Sequence, residues 1–189
     1  MRSLAKLFGS LARLKILRLF IFNRETTFSA SQIAERTKLS KETVRYELMQ
    51  LLTSGIIRKK GTNTKAHYQT NQHFEHLDAL ITFIRDTTSM RPQGIVGLLR
   101  RAGVLRLVVL SGFFTNVSES QVDLLIVGDR LDERMLAGVA RSLEAELGRE
   151  VRYASFSTEV FRYRFGVYDR LLRDVFDYPH RLLVDKIGL

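Results

Sequence analysis

The sequence predicts an α+β chain in two parts, and three observations carry that prediction. The first is charge. Of the 189 residues, positions 1–73 hold fourteen Lys and Arg against four Glu (Glu25, Glu35, Glu42, Glu47), whereas 74–189 hold sixteen bases against sixteen acids. The net charge of +10 therefore belongs to the front of the chain. The second is periodicity: the front reads as helices followed by one short hairpin, and the rest alternates strand, helix and strand. The third is a break between them, the polar run Thr87-Thr88-Ser89-Met90-Arg91-Pro92, in which Pro92 stops the preceding helix. These give a first domain over 1–86, a linker over 87–94 and a second domain over 95–189.

Composition narrows the class. The chain has no cysteine, so disulfide frameworks and thiolate metal sites are excluded. Arg13, Lys15 and Arg18 interrupt the apolar positions of the first helix, which argues against a secretory signal, and no apolar run is long enough to span a bilayer. A cytoplasmic protein is expected, with a basic helix lying on a membrane as the alternative.

Residues 4–22 read as one long helix, with Leu4, Leu7, Phe8, Leu11, Leu14, Leu17 and Phe20 apolar. Residues 25–28 are extended, because Thr and Phe suit a pleated surface. Ser29 caps a short helix over about 30–36, with Gln32 completing a capping box. After a turn at Thr37, Lys38 and Leu39, Ser40 caps a third helix over about 41–52. Val44, Leu48, Leu51 and Leu52 share its core face, leaving Lys41, Glu42, Arg45, Tyr46 and Met49 opposite. A helix docked in a major groove needs this division, apolar behind and hydrogen-bonding in front. Arg45 is the candidate for a base edge and Lys41 for phosphate, with Ser31, Gln32, Thr43 and Tyr46 as further contacts; a merely solvated charged face is the alternative. Residues 56–60 and 65–70 form a hairpin about the turn at 61–64, carrying Arg58, Lys59, Lys60 and Lys65.

On these residues the segment 4–86 resembles the winged-helix repressors of the arsenical-resistance type. The resemblance lies in Ser29-Ala30-Ser31-Gln32-Ile33-Ala34, Ser40-Lys41-Glu42-Thr43-Val44-Arg45 and Leu51-Leu52-Thr53-Ser54-Gly55-Ile56-Ile57. It implies a winged helix-turn-helix that binds double-stranded DNA, the hairpin clamping the backbone. It also implies a homodimer in which the helix at 74–86 (Phe74, Leu77, Leu80, Ile81, Ile84) pairs with the first helix of a second subunit; packing within one chain is the alternative. That family often senses metals through cysteines, absent here. His73 and His76 could share a helix face as ligands, but no third ligand is placed beside them, so no metal site is expected.

In the second part, a helix at 93–102 precedes a strand at 105–110. A turn at Ser111-Gly112-Phe113-Phe114 and a polar loop then lead into a strand at 122–128. A helix over 131–147 points Leu131, Met135, Val139, Leu143 and Leu147 inward; a strand at 150–156, helical patterns over 158–176 and a short strand at 182–184 follow. Strand, Gly turn, polar loop and Val122-Asp123-Leu124-Leu125-Ile126-Val127-Gly128 resemble the minimal nucleotidyltransferase domain, which implies an α/β domain with a mixed sheet. Active members hold two magnesium ions on clustered carboxylates, since two metals must clamp the attacking and leaving oxygens. Here Phe113 follows Gly112 where a small hydroxyl residue belongs. Gln121 stands in place of the first carboxylate, only Asp123 is left, and Arg152 falls near the position of the last one.

The expectation is therefore a non-catalytic domain without a cofactor. Gly112 and Asp123 remain as a candidate site for a nucleotide or other small effector, and Asp123 satisfied by an arginine or backbone N–H is the structural alternative. The whole reads as a dimeric, DNA-binding transcriptional regulator with a sensor or interaction domain. The rivals are an active magnesium-dependent nucleotidyltransferase of antitoxin type with a DNA-binding arm, and a pure protein-interaction module.

Overall fold

A computed structural model describes residues 2–61, 66–87, 92–115, 117 and 120–189, the side chains of Arg2, Ser3 and Pro92 excepted. The fold is α+β, with one three-stranded and one four-stranded sheet. The chain divides into two compact units, residues 1–88 with 144–150, and residues 89–143 with 151–189.

In the first unit, the expected single helix at 4–22 is two: α1 (Arg2–Leu7) and α2 (Leu11–Phe22). The chain turns at Gly9, and Ser10 caps α2 by accepting from Arg13 N–H. Leu7, expected inward, is instead 70% exposed, because the turn at Gly9 breaks the periodicity that would have buried it. Helix α2 is buried nearly all round, Arg18 included.

Two further helices complete the helical layer: α3 (Ala30–Thr37) and α4 (Lys41–Thr53). Both caps appear as the sequence predicts, with Ser29 and Gln32 forming the full capping box and Ser40 accepting from Thr43 N–H. Between α3 and α4, Lys38 takes the left-handed conformation. Strand β1 (Phe28–Ser29), shorter than the extended stretch expected at 25–28, pairs with β3 (His67–Thr70), which pairs with β2 (Ile57–Lys60); both pairings are antiparallel.

Helix α5 (Leu77–Thr87) starts later than expected, after Phe74. Its Leu77, Ile81 and Ile84 are buried within this chain, in one core with Leu14, Leu17 and Phe20 of α2, Ile33 of α3, and Val44, Leu48 and Leu51 of α4. Thr87 is still helical and Pro92 opens the next helix, so both ends of the linker expected at 87–94 are helical; residues 88–91 lie outside the described residues.

The second unit opens with α6 (Pro92–Leu99) and a turn of 3₁₀ helix. Its sheet comprises β4 (Val104–Leu110), β5 (Leu124–Asp129), β6 (Tyr153–Phe156) and β7 (Arg181–Asp185), in the order β6-β5-β4-β7. The sheet is mixed: β5–β6 is parallel and the other two pairings antiparallel. Both faces are buried over Leu107–Leu110 of β4 and Leu124–Gly128 of β5, which is why those stretches read as unbroken apolar runs; Val104 and Arg106 at the start of β4 are exposed.

Helix α7 (Glu133–Leu147) begins after Asp132, whose carboxylate accepts from Arg134 and Met135 N–H. Its buried stripe runs through Leu136, Val139 and Leu143, so Met135, expected inward, is exposed. The helical run at 158–176 is α8 (Thr158–Gly166) and α9 (Arg170–Asp177), and the two cover the sheet face bearing Leu107, Val109, Leu125 and Val127.

Candidate nucleic-acid interface and the Asp123 site

Helix α4 separates its faces cleanly. Val44, Leu48 and Leu51 are buried, and Lys41, Glu42, Arg45, Tyr46 and Met49 are exposed, Tyr46 at 60% and Met49 at 64%. Leaving two large side chains in water has no packing return within the chain. Ser31 and Gln32 are exposed at the start of α3, where the Gln32 carbonyl oxygen already accepts from Ser29 N–H. Thr43 is part-buried, its hydroxyl 2.8 Å from that of Ser40, so it belongs as much to the helix cap as to any outer surface.

On β2, Arg58, Lys59 and Lys60 are all exposed. Alternation puts Arg58 and Lys60 on one face of the hairpin and Lys59 on the other, so the three do not act as one patch. Arg58 reaches Gln69 Oε1 at 3.5 Å. Lys65 lies outside the described residues. His67, His73 and His76 are exposed, and among the described residues no three His, Cys, Asp or Glu side chains cluster so as to hold a metal ion.

Not all of the basic excess faces outward. Arg13 Nε donates to Glu47 Oε2 at 2.8 Å, and Ser10 Oγ to Glu47 Oε1 at 2.5 Å. Glu47 is buried on the core side of α4, so this network fixes α4 to α2. Lys15 pairs with Glu146, and Arg18 Nη1 donates to the Glu146 carbonyl at 2.9 Å. Burial pulls the Arg18 guanidinium below its ordinary value, against the opposing pull of Glu146. Three bases of α2 are thus internal ties, and their partners lie 34 to 131 residues away.

The second candidate site is closed on itself. Asp123 is fully buried just ahead of β5, one residue inside the strand start expected at 122. Its Oδ1 accepts from Phe113 N–H at 2.9 Å and from Arg152 Nη2 at 2.9 Å; its Oδ2 accepts from Arg152 N–H at 3.0 Å and Nε at 3.1 Å. Burial by itself would push this carboxyl up. The Arg152 guanidinium and the two backbone N–H groups outweigh it and hold the group below the usual carboxylate range.

Gly112 sits in the left-handed region at φ +51°, and a Cβ there would stand 2.4 Å from Asp123 Oδ1. The Gly112 turn therefore fits against the carboxylate, while Ser111 Oγ donates to the Val122 carbonyl at 2.6 Å. Asp123 has all four of its usual acceptor positions engaged by the protein. Asp174, which sequence reasoning did not single out, binds Gln121 N–H at 2.7 Å and Ser120 Oγ at 3.2 Å, closing the same loop from below.

No helix among the described residues is long and apolar enough to cross a membrane. Comparison with protein-family models, with curated proteins and with solved structures found no match.

Proposed function

We propose that this protein is a double-stranded DNA-binding transcriptional regulator whose first unit is a winged helix-turn-helix and whose second, nucleotidyltransferase-like unit is non-catalytic. The observation that carries the reading is α4: a helix fixed to its core by Val44, Leu48, Leu51 and the Arg13–Glu47 pair, presenting Lys41, Arg45 and Tyr46 to solvent. That division suits major-groove docking, in which a rigidly held helix offers hydrogen-bonding side chains to base edges. The β2–β3 hairpin directly after it suits a backbone-contacting wing, supplying charge that recognises any sequence.

Two copies of the chain would bind as a homodimer. Leu7 and Leu11 are exposed on α1 and α2, and Phe83 is exposed on α5 with its ring 6.2 Å from that of Phe8. These leave an apolar surface for a second subunit after the main α5 stripe has been buried internally.

Binding-site selection from random duplex DNA, with the full-length protein at near-physiological salt, tests the reading. A two-fold symmetric motif with half-sites about one helical turn apart is expected. Recovery of no motif, with weak binding that falls steeply with salt, would reduce the first unit to a non-specific cationic surface.

The rival of an active nucleotidyltransferase meets a specific obstacle in the engagement of Asp123 by Arg152, since a carboxylate must turn to a metal ion to serve two-metal transfer. Magnesium-dependent transfer from ATP, abolished in Asp123→Ala, would restore that rival.

A further inference from the structure

The turn that closes α8, with Asp169 N–H donating to the Arg164 carbonyl, places at its left-handed position a side chain without a partner among the described residues. Tyr168 follows the C-terminus of α8 at φ +56°, a place where the chain usually puts glycine because an L side chain is disfavoured there. It is 80% exposed, and neither its ring nor its hydroxyl has a partner among the described residues. A bulky aromatic in a disfavoured conformation, aimed into solvent, is an outlier of the sort that accumulates at binding sites.

Tyr168 stands at the edge of a 310 Å³ cavity whose apolar lining is Phe165, Leu172 and Phe176. Phe165 is fixed by stacking on the buried Phe161 at 5.6 Å and meets Phe176 edge-on at 5.6 Å, so the aromatic wall is rigid although Phe165 is half-exposed. On its other side Tyr168 borders a 500 Å³ depression that includes Arg170 and Tyr178; the two concavities share Tyr168, Arg173 and Asp177. The smaller cavity sets an aromatic wall beside the charged side chains of Asp169, Arg173 and Asp177, a mix that suits a small molecule with a ring and a polar end.

The rim is biased toward anions. Asp169 caps α9 through Leu171 and Leu172 N–H and also meets Arg164, and Asp174 is held by Gln121 and Ser120. Arg173 has only the exposed Asp177, 3.3 Å away one helical turn on, a pair of little strength. Arg170 has no ion-pair partner among the described residues. Two of the acids are thus engaged while one guanidinium is uncommitted and another weakly held.

We infer that the α8–α9 cleft binds a small planar aromatic anion, its ring between Tyr168 and the Phe165–Phe176 pair and its charge met by Arg170 and Arg173. This site belongs to the second unit alone and does not depend on DNA binding by the first.

The test uses the full-length protein and the fluorescent probe 8-anilinonaphthalene-1-sulfonate, with 2-naphthoate and the neutral 2-naphthylmethanol as competitors. One saturable site is expected, with 2-naphthoate competing at least about tenfold better than the alcohol, as a charge-assisted hydrogen bond requires. Tyr168→Gly should weaken the probe about fivefold, the scale of one lost aromatic contact. Arg170→Gln/Arg173→Gln should weaken 2-naphthoate by about tenfold and leave the alcohol unchanged. Equal competition by acid and alcohol, probe binding at several sites, or unchanged 2-naphthoate affinity in the double arginine variant would each overturn the assignment. Should Tyr168→Gly fold poorly, the arginine variant decides alone, with its melting temperature read by circular dichroism.

Discussion

Asp123 and Arg152 form a two-point pair, Nη2 to Oδ1 at 2.9 Å and Nε to Oδ2 at 3.1 Å, with the carboxylate buried and the guanidinium partly exposed. The acid is therefore committed on both oxygens, and the pair joins the residue before β5 to the residue before β6. Arg152→Ala leaves the carboxylate with backbone donors only. We expect a loss of about 2 kcal/mol in urea unfolding, below the full cost of stranding a buried charge because Arg152 itself reaches solvent. An unchanged midpoint would show that the pair contributes nothing net.

The same pair sets a pH dependence. The carboxyl of Asp123 is held below its unfolded value, so its contribution is fully present above the unfolded pKa of about 3.9 and is lost as pH falls through the folded pKa. Asp123→Asn should flatten that part of the acid limb when urea midpoints are followed downward from pH 5, and a limb of unchanged slope would contradict it.

Gly112→Ala combines a left-handed backbone with a Cβ 2.4 Å from Asp123 Oδ1. We expect a loss of about 2 kcal/mol, read as a lower melting temperature. Coupling to Asp123→Asn in a double-mutant cycle would confirm that the two residues are energetically one unit.

On α4, Arg45→Ala is expected to weaken the selected DNA site more than random duplex, by about 1–3 kcal/mol. Lys59→Ala should weaken both alike and lower the salt slope by about one. Equal loss on both DNAs in both variants, measured by fluorescence anisotropy, would overturn these separate roles.

Glu47→Gln tests whether the hold on α4 matters. Its buried carboxylate takes both Arg13 and Ser10, and the amide leaves Arg13 without its ion pair. A stability loss of about 1–2 kcal/mol is expected, with Arg13→Ala adding little in the double variant.

Local signals were legible in the sequence. The caps at Ser29 and Ser40, the two faces of α4 and the β2–β3 hairpin all depend on residues within a few positions of one another. What failed was long-range or a matter of phase. Gly9-Ser10 breaks the first helix although Leu7 and Leu11 keep its spacing intact on either side. Met135 and Leu136 are adjacent, so a one-residue error in where α7 starts exchanges inside for outside.

The burial of Arg18 was not legible locally, because the Glu146 carbonyl that receives it lies 128 residues away. In the second candidate site the reverse held. An arginine or a backbone N–H is the structural alternative for Asp123, and Arg152 and Phe113 N–H both bind it.

Gly148 presses its bare Cα against the backbone at Arg18 and Leu19, while its carbonyl receives the Asn23 amide that also caps the end of α2. A Cβ there would lie 2.5 Å from Arg18 C. The helix at the centre of the first unit is thus finished by a segment that the ribosome makes well over a hundred residues later. During synthesis Arg18 lacks the Glu146 carbonyl, and Asn23 the Gly148 carbonyl, until this segment has emerged. Nascent chains arrested before that point should stay open to protease in this unit, and chains arrested after it should resist. Early protection would mean that the late segment settles onto a structure already complete.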